Sequence, residues 1–257
     1  MRKPVVITAE EAVQMIEDGT TLCGIAMTQI SACTSILKEI EKSYMEKGHP
    51  RALTYVHTCG QASEGKPGGL QYIAHEGLLK RVIGGHWGQS SNMMELITKN
   101  KIEAFNLPQG QMANLFHSMA LREPGKISKV GLGTYIDPRY EGGKMNQSAK
   151  ESGYDTVSLI EIDGEEYIRY HHIPIDTLLI RGTYADENGN ISTKHEAMVL
   201  EVLPAVMAVK RWGGKVICQV ERLVKNGCIE AKDVTVPGVL VDALVVCEKP
   251  IEEHRQT

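Results

Sequence analysis

Spacing between residues decides which reaction chemistries the sequence can support. His171 and His172 are adjacent, so on a strand they point to opposite faces, the wrong geometry for a shared metal ion. The 257 residues contain no G-x-G-x-x-G motif that opens a helix after a strand, and no G-x-S-x-G nucleophile elbow. Metal binding, nucleotide binding through that motif and serine-hydrolase chemistry are therefore not supported.

Polar side chains and glycines do cluster where three short apolar runs end. The three clusters are Thr58-Cys59-Gly60, residues 84–89 (Gly-Gly-His-Trp-Gly-Gln) and Pro108-Gln109-Gly110. Strands of a parallel sheet present such loops together at one edge, so we expect these side chains to lie close together. A nucleophilic thiol at Cys59 would need a nearby base, which the sequence does not identify, so we interpret Cys59 as a pocket wall.

Apolar spacing predicts the elements that carry these loops, and strands and helices alternate along the chain. Thr8 and Glu11 predict a capped helix that runs to about Asp18. Pro204 should kink the last long helix. The other predicted helices are Ser31 to about Lys47, Met93–Lys99, Gln111–Leu121 and Glu196–Trp212. The predicted strands are Thr20–Met27, Leu53–His57, Arg81–Ile83, Ala104–Leu107, Ser158–Ile162, Glu166–Tyr170, Asp176–Thr183, Lys215–Val220 and Val239–Val246.

This alternation predicts an α/β fold with an open, largely parallel sheet covered by helices, in a single domain over residues 1–257. Residues 131–146 are too irregular for a core element and too apolar for a disordered tail, so we expect an ordered functional loop there.

Composition narrows the class of protein further. The 28 basic and 32 acidic residues are mixed along the chain, which argues against nucleic acid as a partner. No segment reaches the ~18 consecutive apolar residues of a membrane span. The six cysteines form no C-x-x-C pair, as expected for reduced thiols. We therefore expect a cytoplasmic protein that binds neither nucleic acid nor membrane.

Four longer segments resemble the N-terminal half of family I CoA-transferases, in the family's order. The segments are residues 84–90 (GGHWGQS), 106–110 (NLPQG), 131–146 (GLGTYIDPRYEGGKMN) and 181–190 (RGTYADENGN). The third looks most like the propionate and short-chain acyl branch of the family. The resemblance covers essentially the full chain and implies the CoA-transferase (NagB/RpiA-like) type of α/β fold.

The resemblance also implies a mechanism. Family members pass coenzyme A from a thioester donor to a free acid through an enzyme glutamyl anhydride and a glutamyl-CoA thioester. Each step forms a tetrahedral oxyanion that fixed hydrogen-bond donors stabilise. The residue of this chain that matches the family's oxyanion donor is Gln109, through its side-chain amide. The alternative is an ordinary Pro-Gln-Gly turn with a solvated glutamine and no catalytic role. Coenzyme A enters as a substrate, with no metal and no other cofactor.

The family's nucleophilic glutamate belongs to an E-x-G motif in the second half of the protein, beyond the region that this chain matches. Glu187-Asn188-Gly189 spells that motif, yet it stands between two strand-like runs, as a hairpin turn does. The resemblance therefore implies an α subunit whose β partner supplies the glutamate, in an αβ, α2β2 or larger heteromer.

The predicted substrate site combines the loops. Relatives carry a glycine-rich turn at the first strand end, whereas this chain has only one glycine in residues 23–30 (CGIAMTQI). The larger side chains predict a narrower or reshaped acyl pocket, or offer Thr28 and Gln29 as donors to a substrate carbonyl, and plain repacking of the loop is the alternative. His86 and Trp87 are placed to wall the acyl site, although Trp87 also suits a core position. The predicted substrate-binding residues are Gly24, Met27, Thr28, Gln29, Cys59, Gly60, Gly85, His86, Trp87 and Gly110.

The predicted reaction moves coenzyme A between short-chain acids such as acetate, propionate, butyrate or acetoacetate. Three alternatives stay open. Glu187 or another acidic residue could serve a self-contained, thioesterase-like enzyme. The fold could bind acyl-CoA or a small acid without catalysis. The chain could also be one half of a longer fused polypeptide.

Overall fold

The computed structural model describes residues 3–63 and 68–256. These residues form twelve strands, which group into a large and a small sheet. The strands are β1 (Val5–Ile7), β2 (Thr21–Gly24), β3 (Leu53–His57), β4 (Leu79–Gly84), β5 (Glu103–Asn106), β6 (Lys126–Ser128), β7 (Val157–Ile162), β8 (Glu165–Tyr170), β9 (Thr177–Asp186), β10 (Ile191–Ser192), β11 (Lys215–Val224) and β12 (Ala243–Val246).

The large sheet has the order β1-β12-β11-β9-β2-β3-β4-β5, and every pair along this path is parallel. The short β10 pairs antiparallel with β9 outside this path. The prediction of an open, largely parallel sheet is confirmed. The apolar strand predicted over Val239–Val246 is shorter, because residues Gly238–Leu240 form a 3₁₀ turn before β12 begins.

Helices flank this sheet in the described residues. They are α1 (Ala9–Gln14), α2 (Thr34–Lys47), α3 (Leu70–Ile73), α4 (Ser91–Thr98), α5 (Gln109–Leu121), α6 (Gln147–Glu151), α7 (Val202–Arg211) and α8 (Pro250–Glu253). Thr8 and Glu11 form the predicted capping box, but α1 ends at Gln14 rather than near Asp18. The described residues include no helix long and apolar enough to cross a membrane.

The predicted kink at Pro204 is wrong. Residues 196–201 are not helical, so α7 begins at Val202 and Pro204 is its third residue. Backbone amides in the first turn of a helix have no intrahelical hydrogen-bond partner, so a proline there loses no hydrogen bond. The helix therefore starts without distortion.

Alternation along the central strands builds two apolar layers, one on each face of the large sheet. Leu179 and Ile217 belong to the layer with residues of α1 to α4, whereas the neighbouring Leu178 and Val216 belong to the layer with residues of α5 and α7. Successive strand residues point to opposite faces, so both faces of these strands are covered. The sheet is thereby fixed, and its edge can carry loops.

The second sheet, of order β6-β8-β7, is antiparallel. The predicted hairpin through Asp163-Gly164 joins β7 and β8. Residues 131–146 are ordered, as predicted. Asp137 is fully buried in this segment, and it accepts hydrogen bonds from Arg139 and from the Gly133 amide, which together hold its pKa well below the usual range.

A buried ion pair fixes the C-terminal segment to β9. Arg181 and Glu196 are both inaccessible at the side chain and lie 2.7 Å apart. His254 Nε2 contacts the other oxygen of Glu196 at 2.8 Å, and Arg181 donates to the Arg255 carbonyl at 2.9 Å. Every charged group in the cluster therefore has a partner inside the protein.

Glu196→Ala should lower the free energy of unfolding by roughly 3–5 kcal/mol, because it leaves the Arg181 charge buried without its carboxylate. Urea unfolding measures this. Glu95→Ala is the matched control, since Glu95 forms an exposed i,i+4 pair with Lys99 and its loss should cost below about 0.5 kcal/mol. Equal losses in the two variants would contradict the assignment of a structural role to the buried pair.

Candidate active site

The loops predicted to meet do meet, at the carboxyl edge of the large sheet. His57, Gly84 and Asn106 are the last residues of β3, β4 and β5, and each is the register partner of the next. The loop after β2 joins them, because the Thr28 amide donates to the Gly60 carbonyl at 2.6 Å. Residues far apart in sequence therefore share one small region.

Gln109 begins α5 at this edge and packs against Gly85. A Cβ atom on Gly85 would lie 2.1 Å from the Thr58 carbonyl oxygen and 2.3 Å from Gln109 Cγ, so only glycine fits. The Cys59 thiol donates to Gln109 Oε1 at 3.8 Å. The exposed Gln109 amide is thus positioned on both sides by the protein.

Asn106 ties three segments of the site together. Its side-chain amide donates to the carbonyls of Gly84 (2.9 Å) and Gly85 (3.0 Å). Its oxygen accepts a hydrogen bond from Tyr135 in the ordered 131–146 segment. This network holds the glycine loop on which Gln109 rests.

Two histidines of the cluster have different environments. His57 is fully buried, its Nδ1 lies 2.8 Å from the Cys59 carbonyl oxygen, and its Nε2 has no hydrogen-bond partner among the described residues. Burial lowers the pKa of His57 to about 4, so the ring is neutral at pH 7. His86 is exposed and packs on Gly60, where an added Cβ would lie 2.6 Å from its Nδ1.

Trp87 is 7% exposed and belongs to the apolar layer formed with α1 to α4. Its ring meets the His57 ring edge-on at 6.3 Å. Trp87 therefore supports the loop from below, and its contact with an acyl group stays a prediction. Gly110 is exposed in the first turn of α5, and its carbonyl accepts a bond from Asn114.

The turn after β2 is tightly folded. Met27 and Ile30 exchange backbone hydrogen bonds of 3.0 and 2.9 Å around Thr28 and Gln29. The Thr28 hydroxyl, predicted as a donor to substrate, donates to the Met27 carbonyl at 2.6 Å. The side chain of Gln29 lies against Gly68, and Gly24 packs on the Tyr55 hydroxyl. These residues shape the wall of the edge next to Cys59.

Glu201 joins the site although the sequence analysis did not single it out. It directly precedes α7, and it accepts a hydrogen bond from the Thr58 hydroxyl. The sequence placed this residue inside a long helix, where its side chain had no predicted neighbour. Only the start of α7 at Val202 brings its carboxylate to the strand ends.

The Cys59 thiol is half-buried, and burial followed by the charge of Glu201 raises its pKa. Both effects favour the neutral thiol over the thiolate nucleophile. The interpretation of Cys59 as a pocket wall is consistent with this environment.

Glu187 lies in the predicted turn. The Asp186 side chain stabilises this turn, because it accepts hydrogen bonds from the backbone amides of Asn188 and Asn190. The turn packs beside β1, because a Cβ atom on Gly189 would lie 2.2 Å from Pro4 Cγ, and β1 is at the opposite end of the large sheet from β5. This glutamate is not at the edge that carries Gln109.

The edge therefore offers an amide donor, a helix N-terminus, a thiol and a carboxylate. Amide donors on fixed loops suit the oxyanion of acyl transfer. Among the described residues, no group of three or more His, Cys, Asp or Glu side chains is arranged to hold a metal ion.

Known proteins resemble this chain in both sequence and fold. Residues 6–247 match the family model described as Coenzyme A transferase. The chain is 38% identical to the acetate CoA-transferase YdiF of Escherichia coli K12 over 94% of its own length and 45% of that protein. It is 39% identical to the caffeate CoA-transferase of Acetobacterium woodii, over 93% of this chain and 45% of that one.

The crystal structure of the acyl-CoA transferase YdiF from Escherichia coli O157:H7 superposes with a TM-score of 0.91 and 35% identity, over 99% of this chain and 49% of that chain. The chain thus spans about half the length of these relatives. One of the subunits of a probable succinyl-CoA:3-ketoacid coenzyme A transferase from Mycobacterium bovis is 25% identical, over 98% of both chains.

His57 makes folding depend on pH. The unfolded chain binds the imidazole proton near pH 6.5 and the folded chain only near pH 4, so acid favours unfolding between these values. From about pH 7.5 to about pH 5, this residue should remove about 2 kcal/mol of unfolding free energy. His57→Gln should shrink the pH-dependent loss by that amount in urea unfolding.

His117→Gln is the control, because it replaces an exposed histidine of α5 and leaves the buried His57 in place. An unchanged pH dependence in His57→Gln would show that the folded protein protonates His57 as readily as the unfolded chain does.

Proposed function

Because the chain belongs to the coenzyme A transferase family, we propose that it is the α subunit of a heteromeric CoA-transferase. The enzyme moves coenzyme A between a short-chain acyl-CoA and a free carboxylic acid. A glutamate of the β partner attacks the acyl-CoA and carries coenzyme A as a glutamyl thioester, while this chain supplies the oxyanion donor.

The observation that carries the proposal is the placement of Gln109. Its amide is exposed at the sheet edge, fixed between Gly85 and Cys59, and backed by the Asn106 network. A donor that is already oriented costs little reorganisation when charge develops on a carbonyl oxygen. The geometry suits a reaction that repeatedly forms tetrahedral oxyanions.

Two observations support a partner. The E-N-G triplet of this chain lies in a turn away from Gln109, and the Gln109 side chain is exposed at the edge, where a partner could reach it. The Mycobacterium bovis relative, which is named as one subunit of its enzyme, has nearly the same length as this chain. The relatives of about twice the length are compatible with the same arrangement in one polypeptide.

The acid substrates are proposed as acetate, propionate, butyrate or acetoacetate. The acids for which two relatives are named, acetate and caffeate, each carry a single carboxylate. The turn after β2 has a single glycine, and we propose that the side chains of Met27 and Gln29 set the shape of the acyl site there.

Purified alone, the chain should show no exchange between acyl-CoA and acetate, and exchange should appear on adding a co-encoded chain that carries E-x-G. The reason is that the proposal places the nucleophilic glutamate on the partner. Acyl-CoA consumption with labelled acetate measures it. Turnover by the chain alone would contradict the proposal, as would tight acyl-CoA binding with no activity gained from any partner.

In the active complex, Gln109→Ala should slow transfer by roughly 10²–10³, the scale of one lost oxyanion donor. The loss should appear in kcat, since the donor acts on the transition state. Gln147→Ala removes an exposed amide from α6, outside the site, and should leave the rate unchanged. Equal rates for both variants would show that Gln109 is an ordinary solvated turn residue and not an oxyanion donor.

A further inference from the structure

Glu201 places a negative charge of this chain in the wall of the candidate site. Its charge acts on Cys23, at the end of β2, and on Cys59, after β3. Gln109 contacts Cys59 and Gly85, which follow β3 and β4. Thr58 bonds to Glu201 and Cys59 bonds to Gln109, so the carboxylate and the amide both lie against the Thr58–Cys59 loop.

The carboxylate is held in place. The Thr58 hydroxyl donates to Glu201 Oε1, and the segment before it is fixed at several points. Ser31 donates to the Met198 carbonyl at 3.0 Å, and the Ala197 amide donates to Gln256 at 2.9 Å. These bonds position the Glu201 carboxylate against the Thr58–Cys59 loop.

Its charge is also not neutralised nearby. No Lys, Arg or His side chain of the described residues forms an ion pair with Glu201, and the residue is half-buried. The buried Glu196, five residues earlier in the chain, has both an arginine and a histidine partner. Glu201, unlike Glu196, therefore keeps a charge that can act on a substrate bound at the edge.

We infer that Glu201 is a specificity residue that excludes acyl chains carrying a second carboxylate and admits uncharged ones. Two unit charges ~8 Å apart at an effective dielectric constant of ~20 repel enough to disfavour the charged acid by roughly 30-fold. The effect on substrate choice rests on the proposed function. The repulsion between Glu201 and an anionic group at the site does not.

The repulsion can be measured on the chain alone by alkylating Cys59 with iodoacetate or with its neutral counterpart iodoacetamide. Peptide mass spectrometry separates Cys59 from the exposed Cys228. Glu201→Gln keeps the acceptor for Thr58 and removes the charge. The rate ratio of iodoacetamide to iodoacetate should fall about 10- to 30-fold in this variant, and any change in thiol ionisation cancels in the ratio.

Glu187→Gln is the matched control, since it removes a charge of the same kind from the distant turn and should keep the wild-type ratio. Thr58→Val keeps the charge and should retain most of the ratio. An unchanged ratio in Glu201→Gln would overturn the inference.

With the active complex, Glu201→Gln should raise the ratio of kcat/KM for succinyl-CoA to kcat/KM for propionyl-CoA by about 30-fold. A constant preference would overturn the inference, and loss of all transfer would make Glu201 a reacting group instead. If the wild-type complex transfers nothing, the proposed function fails, and the alkylation ratio still decides the role of Glu201.

Discussion

The site depends on the register of the parallel sheet. β3, β4 and β5 end on residues that pair with one another, so the loops after them start at one level and crowd together. Crowding is possible only because Gly85 has no side chain, which lets the Thr58 carbonyl and the Gln109 side chain approach the same point. The two apolar layers, one on each face, fix the strands that set this register.

The side chains at this edge differ in charge and in hydrogen-bonding role. Burial keeps the His57 ring neutral beneath the loops, and burial together with Glu201 keeps the Cys59 thiol protonated. What remains for chemistry is a donor, Gln109, and a carboxylate, Glu201, both in contact with the Thr58–Cys59 loop. The first suits an oxyanion and the second repels an anion, so the edge can treat the reacting carbonyl and the acyl tail of a substrate differently.

Much of this was predictable from the sequence, for physical reasons. The period-2 and helical patterns predict the α/β order, glycine and proline mark the strand ends, and a cap hydroxyl with a carboxylate three residues later locates α1. Glu201 was not predictable, because local spacing continues the helical pattern through residues 196–201, whereas the Arg181–Glu196 pair and tertiary contacts hold that segment in a non-helical form. The kink expected at Pro204 was wrong for the same reason.

The covalent intermediate should form on a partner and not on this chain. Intact-mass spectrometry of the complex after brief exposure to acyl-CoA tests this most directly. We predict an adduct of one coenzyme A less one water on the chain that carries E-x-G, and none on this chain. An adduct on this chain, at Glu201, Glu187 or any other carboxylate, would contradict the division of the active site between two chains.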